Sequence, residues 1–237
     1  MLLDSTTSDI FLDIFDSAPA QEIGPGEILV HAGASAEKVF NIIDGTLMVS
    51  RIGRDGRRQV LSFLFRDHFV GLSATENYFF TVESLTAAKV ACCSRSVLER
   101  RLEKDPFAER AFLNMVFRVL ENSLDLIYSL GQRSALERLA VFLLYLRNRK
   151  MISRQLEDSS KELESITLPM SRQDIGDFLG LKKETVSRSF TQLDQKNLIR
   201  RKNNRNVKII NLDELRELGG IQDFASPLRV SKNNLKC

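Results

Sequence analysis

The sequence contains little cysteine, little histidine and no long apolar run. Its 237 residues include three cysteines and two histidines. The pair Cys92 and Cys93, together with Cys237, has neither the number nor the spacing of a disulfide framework or a zinc site. No apolar run approaches the ~20 residues that span a membrane, and Met1 to Ser5 lack the basic and apolar regions of a signal peptide. These absences predict a soluble, cytoplasmic protein with no metal and no cofactor.

Charge is unevenly distributed along the chain, although the net charge is only +3. Residues 1–146 contain 15 Lys and Arg against 19 Asp and Glu, whereas residues 147–237 contain 19 against 12. An acidic N-terminal part followed by a basic C-terminal part is typical of a protein whose C-terminal end binds nucleic acid. The alternative is that these basic residues only solvate a surface.

Residues 171–194 have the pattern of a helix-turn-helix, a unit that reads DNA. Ser171 and Asp174 have the spacing of a capping box at the start of a first helix. Gly180 ends that helix and permits a tight corner, and a second helix begins near Lys183. Three apolar residues spaced i, i+4, i+7 predict the buried face of the second helix. They are Val186, Phe190 and Leu193.

The opposite face of the second helix is polar. Glu184, Ser187, Arg188 and Thr191 are spaced i, i+3, i+4, i+7 and therefore share one stripe. In the major groove of DNA, an arginine can donate two hydrogen bonds to guanine, and a glutamate can accept one from cytosine. We predict that Glu184, Ser187 and Arg188 contact bases. The alternative is that Glu184 and Arg188 only form an ion pair along the helix surface.

Further residues around this helix are candidates for contacts to DNA phosphates. The second helix begins with Lys182 and Lys183, where Ser or Thr would ordinarily form the cap, and two cations are unfavourable at the positive end of a helix. A bound phosphate would supply the missing negative charge. Residues 198–210 predict a basic β-hairpin, the wing of a winged helix. The other phosphate candidates are Ser171, Arg172, Gln173, Thr185, Thr191, Arg201, Lys202 and Arg205.

Short apolar runs separated by turns occupy the N-terminal part of the chain, from Ile23 to about Cys93. Strands that recur every ~8–12 residues indicate a small all-β roll or barrel. We therefore predict an α+β protein in four parts. These are a β-roll over residues 1–105, a long helix over 106–133, a winged helix-turn-helix over 134–219 and a flexible tail over 220–237.

The long helix, from Pro106 to about Leu130, is apolar on two faces. Leu113, Phe117, Leu120, Leu124, Ile127 and Gly131 step by four and three residues, which is typical of a coiled-coil seam. A second apolar stripe lies beside it and contains Phe112, Val116, Val119, Leu126 and Leu130. We predict that the β-roll covers one stripe and that the seam pairs with the same helix of a second copy. The alternative is that both stripes are buried within one chain.

A β-roll, a long helix and a winged helix in this order resemble the CRP/FNR superfamily of bacterial transcription regulators. The resemblance covers roughly residues 10–215 and is strongest from Met170 to Arg188, where it is closer to the FNR/FixK branch than to CRP itself. It implies a cyclic-nucleotide-binding-like β-roll and a homodimer that binds a palindromic site. It also implies that Glu184, Ser187 and Arg188 contact a half-site of TTGA type. RNA polymerase is a further expected partner, and the hairpin tip at residues 53–56 is a candidate contact.

The β-roll of this superfamily is a sensor, and the sequence departs from two of its known signals. Cyclic-nucleotide members hold the phosphate with an arginine after a Gly-Glu-Leu stretch. The corresponding segments here, residues 71–74 and 77–82, lack the glutamate and carry aromatic residues in place of the arginine. Iron–sulfur members carry a cysteine cluster near the N-terminus, and this chain has no cysteine there. The resemblance therefore predicts control by neither cyclic AMP nor an iron–sulfur cluster.

Three roles remain open for the roll. It could be an effector-free scaffold, it could respond to oxidation at Cys92 or Cys93, or it could bind an apolar small molecule. The predicted lining of such a pocket is Phe63, Leu72, Tyr78 and Phe80. A non-enzymatic signalling protein whose small-molecule effector controls DNA binding is therefore the second functional hypothesis. We find no nucleophile–base pair, phosphate-binding loop, metal cluster or dinucleotide fingerprint, and therefore do not expect an enzyme.

Overall fold

The predicted β-roll is confirmed. The structure, a computed structural model, describes residues 12–16, 18–154 and 165–221. In these residues a 3-10 helix (Leu12–Phe15) precedes eight strands. They are β1 (Ala20–Ile23), β2 (Ile28–Val30), β3 (Lys38–Asp44), β4 (Leu47–Ile52), β5 (Arg58–Leu64), β6 (Phe69–Val70), β7 (Thr81–Ser84) and β8 (Ala88–Ser94). Two antiparallel four-stranded sheets have the orders β1-β8-β3-β6 and β2-β7-β4-β5.

Apolar side chains from both sheets fill the space between them. Ile42, Leu47, Val82 and Val90 are fully buried there. The tight turn between β3 and β4 depends on Gly45, which has a φ of 94°. A Cβ at this position would lie only 2.5 Å from that of Ala88, so a side chain would displace the neighbouring strand.

Three helices follow the roll: α1 (Arg95–Lys104), α2 (Pro106–Gln132) and α3 (Ala135–Arg154). The long helix α2 begins as the sequence predicts, with proline in its first turn. The carboxylate of Asp105 caps it by accepting hydrogen bonds from the backbone N–H of Phe107 (2.9 Å) and Ala108 (3.3 Å). Ala108 and Ala111 pack on the roll, which ties the start of α2 to the sheets.

The remaining described residues form the predicted winged helix. Its elements are β9 (Ser165–Thr167), α4 (Arg172–Leu179), α5 (Lys183–Gln195), β10 (Ile199–Arg201), β11 (Asn206–Ile209) and α6 (Leu212–Leu218). The three strands form an antiparallel sheet with the order β10-β11-β9. Residues 222–237, which include most of the predicted tail and Cys237, lie outside the described residues.

The outer face of the roll packs against the winged helix. Met48 on β4 is the register partner of Phe63 on β5, so both point to the same side of the sheet. Both belong to a core shared with α3 and the winged helix, and the Phe63 ring lies 5.9 Å from that of Phe142 and 5.2 Å from that of Phe178. The helix-turn-helix is therefore seated on the roll as well as on its own sheet.

In the part of the chain that the structure describes, no helix has the length and apolar character needed to cross a membrane.

Candidate nucleic-acid interface

The first helix of the helix-turn-helix, α4, begins with the predicted capping box. Ser171 Oγ accepts a hydrogen bond from the Asp174 N–H (3.1 Å), and the Asp174 carboxylate accepts from the Ser171 N–H (2.9 Å). Burial raises the pKa of the Asp174 carboxyl, but the bonds that it accepts from the Ser171 hydroxyl (2.6 Å) and N–H, together with the Arg58 guanidinium, hold that pKa below its usual range. The carboxylate thus remains ionised and continues to cap the helix.

The corner between α4 and α5 depends on two glycines. Gly180 ends α4 in the left-handed region with a φ of 64°, as the sequence predicts. Gly176 is the second, and sequence reasoning overlooked it because glycine inside a helix gives no helical signal. A Cβ on Gly176 would lie 2.6 Å from the carbonyl oxygen of Leu181. Close approach of α4 and the turn that leads into α5 therefore requires glycine here.

The second helix, α5, has the two faces that the sequence predicts. Val186, Phe190 and Leu193 are fully buried, whereas Glu184, Ser187 and Arg188 are exposed. The hydroxyl of Ser187 donates to the carbonyl of Lys183 (3.0 Å), and that of Thr191 donates to the carbonyl of Ser187 (3.2 Å). A shallow depression of about 330 Å³ lies against this face. It is lined by Ser187, Arg188, Thr191 and Gln192.

The charged side chains of this face are available for an external partner. Among the described residues, neither Glu184 nor Arg188 forms an ion pair, so the alternative of a surface pair between them does not describe this structure. Lys182, the N-cap residue of α5, gives the helix no side-chain cap, and Lys183 beside it is also exposed. The positive end of α5 is therefore open, with two cations beside it.

Arg172 on α4 stacks against a buried ring of α5. Its guanidinium carbon is 3.4 Å from the centroid of the Phe190 ring, and its Nη1 is buried without a hydrogen-bond partner. Burial, reinforced by the positive charge of Arg201, lowers the pKa of Arg172 to about 10. The side chain is partly exposed and stacks on α5, and the phosphate contact expected of Arg172 stays a prediction. Gln173 and Ser171 remain at the surface.

Of the three wing cations predicted to contact phosphates, two form no ion pair among the described residues and one is anchored. Lys202 and Arg205 are exposed at the hairpin tip, where Asn203 Oδ1 accepts from the N–H groups of Arg205 and Asn206 (both 2.8 Å). Arg201 instead donates from Nε to Asp194 Oδ2 (3.2 Å) near the end of α5. Asp194 thus joins α5 to the wing, a role that sequence reasoning missed.

Comparison with known proteins agrees with this geometry. Residues 20–105 match the cyclic nucleotide-binding domain family, and residues 137–218 match the Crp-like helix-turn-helix domain family. The transcriptional activatory protein AadR of Rhodopseudomonas palustris is 36% identical over 74% of this chain and 71% of its own. The nitrogen fixation regulation protein FixK of Rhizobium meliloti is 32% identical over 82% of this chain and 84% of its own.

The structure of FixK2 from Bradyrhizobium japonicum covers 89% of this chain and 99% of its own, with a TM-score of 0.76 and 28% identity. The chain belongs to the CRP/FNR superfamily. It is a transcription regulator of the FNR/FixK type with a DNA-binding helix-turn-helix, and its relatives are regulators rather than enzymes.

The long helix α2 of this CRP/FNR protein leaves its predicted seam uncovered. Leu113, Phe117, Leu120, Leu124 and Ile127 are between 45% and 65% exposed in the described part of the chain. Of the second stripe, Phe112 and Leu130 are partly buried, whereas Val119 is 55% exposed. A row of large apolar side chains in water is unusual for a folded chain and indicates an interaction surface.

The predicted effector pocket is not assembled in the roll of this CRP/FNR protein. Phe63 faces outward to the winged helix, and Leu72 is exposed, so neither joins Tyr78 and Phe80 in the roll interior. The pairing of β5 with β4 shifts by one residue between Val60 and Ser62, so Val60 and Phe63, three positions apart, both face outward. The hydroxyl of Tyr78 is occupied because it donates to the carbonyl of Lys38 (2.6 Å). The four-residue lining is corrected accordingly.

Cys92 and Cys93 lie near the end of β8 on opposite faces of the strand, one against the roll interior and one toward α1 and α2. Burial raises the pKa of both thiols, that of Cys93 to about 11. Thiolate is the reactive form, so these surroundings do not favour oxidation at neutral pH.

Proposed function

We propose that this CRP/FNR protein is a homodimeric transcription activator that binds a palindromic DNA site with TTGA-type half-sites. The observation that carries the proposal is the exposed stripe of Glu184, Ser187 and Arg188, whose charged members have no partner in the described residues. A guanidinium and a carboxylate on one face of a recognition helix match the donors and acceptors of a G·C pair in the major groove.

Each residue of the stripe has a proposed role. Arg188 donates two hydrogen bonds to guanine O6 and N7, and Glu184 accepts from N4 of the paired or adjacent cytosine. Ser187 contacts a thymine or its phosphate. Lys182 and Lys183 at the open end of α5 bind a phosphate through their charge and the helix N-terminus. These phosphate contacts position the helix without reading sequence.

A second copy of the chain is the proposed occupant of the α2 seam. The step of four and three residues suits two parallel helices packed side by side. Two copies related in this way would present two recognition helices to DNA. Dimers with a helix-turn-helix bind half-sites about one helical turn apart, roughly 34 Å, which explains why a palindromic site is expected.

Cyclic AMP and an iron–sulfur cluster are not the proposed signals. Phe79 and Phe80 stand where cyclic-nucleotide members carry the phosphate-binding arginine, and burying an unpaired phosphate anion would be costly. The first cysteine of the chain is Cys92. We propose that the roll acts as an effector-free scaffold. RNA polymerase is the proposed protein partner, with the exposed hairpin tip of Arg54 and Asp55 as a contact.

The test is selection of binding sites from a random duplex library by the purified chain, with and without air. We expect TTGA-like half-sites in a palindrome in both conditions. Arg188→Ala should relax selection at one base pair, while Gln195→Ala, at the far end of the same helix, should leave it unchanged. A motif without a TTGA-like half-site would overturn the proposal. Tight binding of cyclic AMP by calorimetry would instead favour the signalling hypothesis.

A further inference from the structure

Helix α4 is held at both ends by arginines from outside the helix-turn-helix. At its N-terminal end, Arg58 on β5 donates from Nε to Asp177 Oδ2 (2.8 Å) and from Nη2 to Asp174 Oδ1. The three side chains are largely buried, with exposures of 29%, 14% and 12% for Arg58, Asp177 and Asp174. Gln59 adds a bond from Nε2 to the carbonyl of Phe178 (3.4 Å). The roll thus binds the first turn of α4 and the segment that contains Asp177 and Phe178.

At the C-terminal end of α4, one guanidinium joins three backbone carbonyls. Arg138 on α3 donates from Nη1 to Leu179 O (2.9 Å), from Nη2 to Leu130 O (2.7 Å) and from Nε to Arg133 O (2.8 Å). Leu130 and Arg133 lie at the end of α2, and Leu179 is the last residue of α4. The seam helix and the helix-turn-helix are therefore connected through a single side chain.

The corner of the helix-turn-helix lies directly against this junction. A Cβ on Gly180 would meet Leu130 Cδ2 at 3.3 Å and Arg138 Nη1 at 3.5 Å. Between the two arginines, the rings of Phe63, Phe142 and Phe178 contact one another with centroids 5.2 to 5.9 Å apart. The polar contacts at both ends of α4 and the apolar contacts at its centre together fix the orientation of α4 relative to α2.

We propose that Arg58 and Arg138 are positioning residues that set the distance between half-sites accepted by the dimer. The inference rests on the proposed function, because spacing has meaning only when two copies bind one site. Ile175 and Leu179 of α4 belong to the same buried core as the apolar face of α5, so α5 moves with α4. A rotation of α4 would therefore shift the reading face of α5 relative to the dimer axis. The bases that α5 reads would stay the same, since neither arginine lies on its exposed face.

The experiment separates spacing from base reading. Full-length protein is titrated against duplexes whose two half-sites are moved apart or together by one and two base pairs. The same protein is titrated against correctly spaced duplexes with the predicted guanine replaced. Arg58→Met combined with Asp177→Asn removes the ion pairs between the roll and α4 without leaving the Asp177 charge unpaired, while the Asp174 carboxylate keeps its bonds from Ser171. Arg58→Lys keeps the charge but loses the two-pronged geometry. Arg138→Lys does the same at the other end of α4. Arg57→Met is the matched control, because Arg57 is 89% exposed and pairs only with its neighbour Asp55.

We expect the wild-type chain and Arg57→Met to prefer one spacing. The Arg58 and Arg138 variants should lose about tenfold of that preference, equivalent to about 1.4 kcal/mol, with base discrimination kept. If variants with a native circular dichroism spectrum keep the wild-type spacing preference, the inference is overturned. Equal loss of spacing preference and base discrimination would also overturn it, as that pattern indicates a general structural defect. If the wild-type chain binds none of the duplexes, the proposed function fails instead.

Discussion

Phe117 provides a direct test of the α2 seam. It lies at the second position of the seam and is 58% exposed in the single chain. A phenylalanine buries about 200 Å² when fully enclosed, so roughly 110 Å² of this side chain is available for an interface. We change it to alanine, which keeps the helix and removes the ring.

The magnitude follows from the exposed area. At about 25 cal/mol per Å², 110 Å² corresponds to about 2.8 kcal/mol, of which alanine retains a small part. Taking about 2 kcal/mol for each helix, a symmetric pair loses about 4 kcal/mol, and the dissociation constant of the dimer rises roughly a thousandfold. Sedimentation equilibrium over a dilution series measures this change.

A second exposed phenylalanine on the same helix is the control. Phe107 is 75% exposed but lies in the first turn of α2, ahead of the seam. Phe107→Ala should therefore leave dimerisation almost unchanged. A folded Phe117→Ala variant that dimerises as tightly as the wild-type chain would refute the seam. Comparable dissociation of both variants would place the interface elsewhere on α2.

Four further predictions concern the reading face, a buried histidine, a thiol and a helix cap. Arg188→Ala should weaken DNA binding by about 1–3 kcal/mol and relax specificity at one base pair. Fluorescence anisotropy on singly substituted duplexes measures both effects, and a uniform loss across sequences would indicate a phosphate contact instead. Burial, with a smaller effect of Arg149, lowers the pKa of His68 to about 3 from 6.5. Below pH 6.5 the unfolded chain therefore binds a proton that the folded chain does not, and the free energy of unfolding falls as the pH falls toward 3, by up to about 1.4 kcal/mol per unit. His68→Gln should reduce this slope in urea titrations, and an unchanged slope would contradict the assignment. Cys93, with its raised pKa, should react with iodoacetamide at pH 7 far more slowly than a free thiol, and rapid labelling followed by mass spectrometry would contradict this. Asp105→Ala should cost about 1 kcal/mol in urea denaturation through loss of the α2 cap, and no loss would mean that another group replaces it.

The elements that carry local signals were predictable from the sequence. Ser171, Asp174 and Gly180 mark the two ends of α4 by capping chemistry, and the periodicity of Val186, Phe190 and Leu193 identifies the buried face of α5. Such signals depend on neighbours within one or two helical turns. The recognition helix was therefore defined from the sequence almost residue by residue.

Other elements gave weak or ambiguous signals. Helix α1 was not predicted, because only Leu98 in it is buried and most of its other residues are polar or charged. Strand β1 was not predicted either, since Ile23 is its only buried residue. Phe63 was expected in the roll interior because the register shift in β5 that turns it outward has no local signal. The partner that covers it, Phe178, is distant in sequence.

The contacts that orient the helix-turn-helix have no local signal. Arg58 and Asp174 are 116 positions apart, and Arg138 and Leu179 are 41 positions apart. A single arginine in a strand or helix is ordinarily a solvated residue. Only the folded chain shows that Arg58 pairs with two carboxylates of α4 and that Arg138 joins the end of α4 to the end of α2.

The bond between Arg58 and Asp174 has a consequence for the order of folding during synthesis. Asp174 caps its own helix, but the second oxygen of its carboxylate is satisfied by a residue of the roll. The roll leaves the ribosome first, and N-terminal units generally fold before later ones appear. The first helix of the DNA reader thus forms against a surface that is already complete. Nascent chains arrested before the winged helix should contain a finished roll, whereas the winged helix expressed alone would have to form α4 without this template.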